Sequence, residues 1–290
     1  MAALTAAFLW ALSTVLFGQL GKSLSPLVLN LAKGVVAIAL IGITLLLQAN
    51  LQPQLPGTAV VWLLLSGAIG IGLGDTAYFM ALSFLGARRV LLMESLAPPL
   101  TALLALLFLR EQLSAIAWIG IFLTLSGVAW VVSERVPAHQ GTSPHSGKGI
   151  GWGLLAALGQ ASGAVMSREA LADTVVDPLW GGFLRIVAGV IVLMFLVGVR
   201  QQLAIQLLPL RSRQVILLVV IAAFLGTYLA IWLQQISFKY TPAGIAQALL
   251  ATSPLFVLPI AALIGDRVTW RAVLGVLVAI GGIWLLITSS

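Results

Sequence analysis

Residues 94–128 read ESLAPPLTALLALLFLREQLSAIAWIGIFLTLSGV, and residues 251–283 read ATSPLFVLPIAALIGDRVTWRAVLGVLVAIGGI. Laid over one another at a constant offset of 155 residues without gaps, Pro99 meets Pro254, Glu111 meets Asp266, Gly120 meets Gly275 and Gly127 meets Gly282. Each stretch is two apolar runs joined by a short polar turn. Earlier in each half the offset is 152, where Ser25-Pro26-Leu27 meets Asp177-Pro178-Leu179 and Lys33 meets Arg185. Self-similarity at a fixed spacing marks a duplicated structural unit.

The medium of that unit follows from composition. Of 290 residues, 61% are apolar and 8% are charged, and the mean hydropathy is +1.13. A soluble domain carries about 25% charged residues, so this chain has too few to coat a water-facing surface. A spanning helix needs about 20 mostly apolar residues. Ten such runs occur, at 2–20, 26–47, 59–82, 89–109, 114–132, 150–170, 178–198, 214–235, 242–264 and 269–288. They are continuous rather than alternating, which excludes the strand pattern of a membrane barrel. Gly70 with Gly74, and Gly149 with Gly153, are spaced for close helix packing in lipid. The longest polar stretch, 133–149, holds both histidines, His139 and His145. The expected organisation is a first repeat at 1–132, a polar linker at 133–149 and a second repeat at 150–290. Five helices per repeat is an odd number, so the second repeat enters the membrane inverted. The fold class is all-α integral membrane, about ten transmembrane helices as two inverted five-helix repeats. Many secondary transporters are built this way, with the substrate site near the midplane between repeats.

The net charge of +7 comes from basic residues scattered singly or in pairs between apolar runs. That placement reads as topology determinants rather than a nucleic-acid surface. The segments joining runs 1–2, 3–4, 5–6, 7–8 and 9–10 hold ten basic residues, and the opposite face holds Arg110, Arg168 and Lys239. Basic residues favour the cytoplasmic face, so the count places both termini outside. Met1 to Trp10 lacks the basic start of a cleavable signal, and the first run is expected to remain as a helix. With no cysteines there is no thiolate chemistry, and the two linker histidines lack metal-ligand partners, so no metal and no cofactor are expected. Gly21-Lys22-Ser23 resembles the end of a phosphate-binding loop, but Leu16 stands where that motif needs glycine.

Charges inside a bilayer cost roughly 2.5–3.5 kcal/mol each on insertion scales and by default mark function. Lys33, Asp75, Glu94 and Arg185 lie inside runs. At 1.5 Å per residue, Lys33, Asp75 and Glu94 sit roughly 8–11 Å below the same face, which allows a Lys33–Asp75 or Lys33–Glu94 pair. Either carboxylate is a candidate to contact substrate or take up a proton. Arg185 is expected in the opposite layer, nearest by depth to Glu169, Asp173 and Asp177. Asp75 and Glu94 have no acidic counterparts in the second half, where the offset of 155 reaches Ala230 and Leu249. A site between the repeats is therefore asymmetric. Further cavity candidates are Trp10 and Ser13 in run 1, Tyr78 on the face of Asp75, Gln160 in run 6, Tyr228 and Trp232 in run 8, and Gln247 in run 9. Such a set suits an amphipathic small molecule. Pro98, Pro99, Pro254 and Pro259 lie within runs 4 and 9 at related positions of the two halves. Each lacks an N–H, so kinked or broken helices are expected there.

Each half resembles an EamA domain of the drug/metabolite transporter superfamily. The resemblance rests on the early Trp10 and on the paired stretches quoted above, each a proline-containing helix, a turn similar to Gly-Glu-Arg and a glycine-spaced helix. The turns here are Arg110-Glu111-Gln112 and Gly265-Asp266-Arg267, so the second keeps the glycine and arginine. The resemblance implies a transporter rather than an enzyme. It would be a multi-pass protein of a bacterial plasma membrane, exporting small metabolites such as amino-acid-like molecules, with substrate and lipid as its partners. Ten helices are enough for a complete inverted-repeat carrier, so a monomer is expected. The resemblance also implies both termini cytoplasmic, against the charge count. The competing readings are a polytopic membrane enzyme and a receptor or assembly factor. No histidine lies in any run, and little chain lies outside the membrane, which disfavours them.

Overall fold

The computed structural model of the chain describes residues 1–21, 23–48, 55–135, 146–198, 212–263 and 269–289. Linker residues 136–145, with both histidines, and the Gly265-Asp266-Arg267 turn lie outside the described residues. Among the described residues ten helices are long and apolar enough to cross a membrane: α1 (Ala2–Leu20), α2 (Leu27–Leu47), α3 (Gly57–Leu82), α4 (Arg89–Leu109), α5 (Ala115–Ser133), α6 (Gly147–Leu171), α7 (Pro178–Leu196), α8 (Arg213–Tyr240), α9 (Ala243–Ile260) and α10 (Trp270–Thr288). Leu107, Phe108, Phe195 and Trp284 are largely exposed on these helices, where lipid rather than water covers them.

Local chemistry sets the helix ends. The Ser25 side chain accepts the Val28 N–H at 3.5 Å, and Thr269 accepts that of Ala272 at 3.1 Å; both cap orphan amides. Arg110 ends α4 in a left-handed turn with φ of 56°. α5 and α10, equivalent in the two repeats, pack along their glycine seams. A Cβ at Gly127 would stand 2.5 Å from the Gly275 carbonyl oxygen, too close for the two backbones to keep this approach.

The repeats share two backbone irregularities. α3 turns π-helical over Gly67–Gly74 and α8 over Phe224–Leu229, which correspond at the offset of 155. Helix α4 is interrupted after Glu94 and resumes at Ala97, and α9 is interrupted after Leu250 and resumes at Ser253. Pro98, Pro99 and Pro254 thus occupy the first turn of a new helical segment, where a missing N–H costs least. The prolines break these helices rather than bend them. Pro259 differs: it lies within an unbroken helical segment and is exposed.

Between the third and fourth runs the sequence suggests a loop, yet helical conformation continues from Asp75 to Glu94. The chain still reverses there, since Leu85 packs at Gly149 and Met93 returns to Gly153 on α6. The matching reversal in the second half is open, with Thr241 extended at φ −135° and ψ 140°. Pro242 explains the contrast, because proline drives its predecessor out of helical geometry; Ala87 stands at the equivalent place in the first half.

Candidate functional site

A cavity of about 530 Å³ lies between the repeats, with walls from α1 to α9. Its outermost lining residues include Leu91, near the start of α4, and Val132, near the end of α5. It therefore extends toward the face rich in basic connections. Both helix interruptions border it, through Glu94, Ser95, Ala97 and Pro98 on α4 and Leu250, Ala251, Ser253 and Pro254 on α9.

All four intramembrane charges line this cavity, and their partners differ. Lys33 Nζ lies 3.6 Å from Asp75 Oδ2, and the two side chains are about a quarter exposed, at 24% and 22%. Gln160 Nε2 donates to Asp75 Oδ1 at 3.3 Å. Asp75 is thereby neutralised and fixed. The carboxylate of Glu94, the last residue before the helix interruption, has no hydrogen bond or ion pair to a described residue. Arg185 is 2% exposed; its Nη1 donates to Gln234 Oε1 at 3.0 Å and to Gln235 Oε1 at 3.3 Å, and its Nε has no partner among the described residues.

The position of Arg185 corrects the layer argument. It reaches the same cavity as Asp75 and is held by amides, whereas Asp177 receives the Leu179 N–H at 2.7 Å at the start of α7. The reason is side-chain length. The Arg185 backbone packs against Gly67, and its Nη2 lies one turn further along α3, where a Cβ at Gly70 would stand 3.1 Å away and one at Gly163 of α6 3.3 Å away. Three glycines open a channel through which the guanidinium extends toward the level of Asp75.

Of the other sequence-predicted residues, Trp10, Tyr78, Gln160 and Gln247 line the cavity. Trp10 Nε1 donates to the Gly226 carbonyl at 2.8 Å, in the stretch where α8 departs from α-helical bonding. Ser13, Pro99, Pro259, Tyr228 and Trp232 are not among the lining residues. Ser13 is buried against Gly226 and donates to the Trp10 carbonyl at 3.0 Å. Tyr228 shares a 2.8 Å hydrogen bond with Thr44 and, with Trp232, packs into an apolar cluster of α2, α7 and α8. Sequence reasoning missed Asn30 and Gln234, which line the cavity as buried amides. Asn30 stands three residues before Lys33 on one helix face, and that spacing was the available signal.

Toward the opposite face the bundle is closed. Arg168 Nε donates to Glu111 Oε1 at 2.6 Å, and Glu111 Oε2 accepts the Ala243 N–H at 2.9 Å. Arg168 Nη1 donates to the Phe238 and Lys239 carbonyls at 2.9 and 2.7 Å. This polar latch ties the α4–α5 turn to α6, α8 and α9. Beneath it, Ala3, Leu63, Ala102, Ile121, Leu171, Phe238 and Leu249 belong to one buried cluster.

The comparisons agree with this architecture. The model of the EamA-like transporter family matches residues 1–133 and 147–288, once for each repeat. A solved structure titled only "Crystal structure of protein" superposes with a TM-score of 0.76 over 99% of this chain and 96% of its own, at 17% identity; that likeness speaks to fold alone. No curated protein matches the sequence. With family matches spanning both repeats, ten membrane-crossing helices and a charged cavity between them, the chain belongs to the EamA-like transporter family, a multi-pass membrane transporter of small molecules.

Proposed function

We propose that the chain is a secondary transporter or facilitator that exports small amphipathic or amino-acid-like metabolites by alternating access between its inverted repeats. The observation that carries this reading is the cavity itself. It is walled by both repeats, bordered by both helix interruptions, extended toward one face and shut from the other by the Glu111–Arg168 latch. Exchanging which face is shut requires the repeats to rock about that cavity. The cavity's few charges among apolar walls suit a substrate with distinct polar and apolar parts.

The basic bias supports a bacterial plasma membrane orientation with both termini outside, so the cavity faces the cytoplasm, as an exporter awaiting substrate requires. Two of the three basic residues on the poorer face, Arg168 and Lys239, are bound inward to carbonyls, which sharpens that bias. Ten helices supply both repeats, and a monomer suffices. Flux of labelled amino acids into proteoliposomes, with and without a pH gradient, tests the reading. Saturable, gradient-sensitive flux is expected; absence of flux across a panel extended to other metabolites would overturn it.

A further inference from the structure

Five hydrogen-bond acceptors gather where the two interrupted helices cross. Pro98 and Pro99 deprive the Glu94 and Ser95 carbonyls of their helical donors, and Pro254 does the same to Leu250. Glu94, Ser95 and Leu250 all line the cavity. The Glu94 carboxylate adds charge there. The fifth acceptor is Gln247 Oε1, buried without a hydrogen-bond partner among the described residues, on a residue that also lines the cavity. The first segment of α9, Ala243–Leu250, packs along the second segment of α4, Ala97–Leu104, with Gly244 on Ala102 toward the latch and Gln247 and Leu250 further in.

The cavity's cations have partners away from this crossing, with Arg185 Nε left unpaired among the described residues. Lys33 is paired with Asp75, and Arg185 is bound to Gln234 and Gln235. Helix N-termini often receive anions, but here Pro98, Pro99 and Pro254 remove three of the first-turn amides that would do so, leaving those of Ala97 and Ser253. The prolines thus free acceptors at the interruptions without adding donors. Trp10 and Tyr78, which line the same cavity, offer aromatic surface to a cationic or apolar group.

We propose that the crossing of the two interrupted helices is the subsite for a protonated amino group, with the Glu94 carboxylate, Gln247 Oε1 and the proline-freed carbonyls as its receptors. This rests on the transporter reading, and it names the transported class as primary amines, amino acids included. An ammonium group brings three donors, and the crossing supplies acceptors from two helices that belong to different repeats. Binding there joins the repeats through the substrate itself.

The test is binding to the purified full-length protein in detergent, by titration calorimetry, with three probes sharing one apolar body: phenethylamine, phenylalanine and 3-phenylpropanoate. The amine and the amino acid should bind, and the deaminated acid should bind at least tenfold more weakly. Glu94→Gln should weaken phenethylamine at least tenfold, Glu94→Asp should retain most of the affinity, and Gln247→Leu should weaken it severalfold. Glu169→Gln removes an exposed carboxylate and should change nothing. Equal binding of the acid and the amine, failure of both amines to bind, or unchanged phenethylamine affinity in Glu94→Gln would each overturn the proposal. Flux of non-amine substrates alongside such a result would leave the transporter reading standing.

Discussion

The two repeats agree in backbone and disagree in chemistry. Both carry a π-helical stretch in the third helix and an interruption in the fourth, at positions related by the same offset. Yet where the first repeat places Asp75 and Glu94, the second places Ala230 and Leu249, and Lys33 is answered by Arg185. The difference shows which constraints duplication preserves. Prolines and tight packing set the backbone, and a membrane leaves few other ways to satisfy backbone polar groups. Side chains facing the cavity are released from that constraint, so acids could be confined to one repeat while a cation remained in both. The result is a symmetric frame around an asymmetric cavity.

Removing the free acid should break the asymmetry most. Glu94→Gln is expected to reduce flux at least tenfold while the protein inserts and purifies normally; flux assays beside size-exclusion profiles check this. The Lys33–Asp75 pair comes next. Removing one partner of a buried ion pair costs about 3–5 kcal/mol, but a pair about a quarter exposed should lose only about 1–2 kcal/mol. Asp75→Asn and Lys33→Gln should each destabilise by that amount. The double variant should lose less than the sum of the two, as thermal or chemical unfolding in a double-mutant cycle would show. The smallest effect belongs to the second repeat's Tyr228, whose hydroxyl bonds Thr44 away from the cavity. Tyr228→Phe should leave flux unchanged and cost about 0.6 kcal/mol, typical of hydrogen bonds within membranes. A flux loss there matching that of Glu94→Gln would place the site in the second repeat instead.

Much of this frame was legible in the sequence, because long apolar runs and paired prolines leave few alternatives. The ten helices and the duplication follow from spacing alone, and depth narrows the partner of Lys33 to Asp75 or Glu94, of which the structure pairs it with Asp75. Three features were not legible. Arg185 was misplaced because depth along a helix ignores how far a guanidinium can extend along a glycine-lined channel. Tyr228 and Trp232 share a helix face with cavity residues in principle, but the π-helical stretch that contains Tyr228 and precedes Trp232 changes which way that face turns, and they pack against α2 and α7. The Arg168–Glu111 latch joins residues 57 positions apart, and nothing local in the sequence announces the contact. Asn30 went unnoticed because a single amide in an apolar run is a weak signal until the cavity beside it is known.

The central claim, that this cavity exchanges access between two faces, is most directly tested with a single cysteine. The chain has none of its own, so Thr227→Cys, on the cavity wall, reports alone. In membrane vesicles of known orientation, a membrane-impermeant maleimide should label it from the face rich in basic connections and not from the other. Breaking the latch with Glu111→Gln and Arg168→Gln should bring labelling from the second face and diminish it from the first. Labelling from both faces at once in the protein with an intact latch, or an unchanged pattern after the latch is broken, would contradict the account.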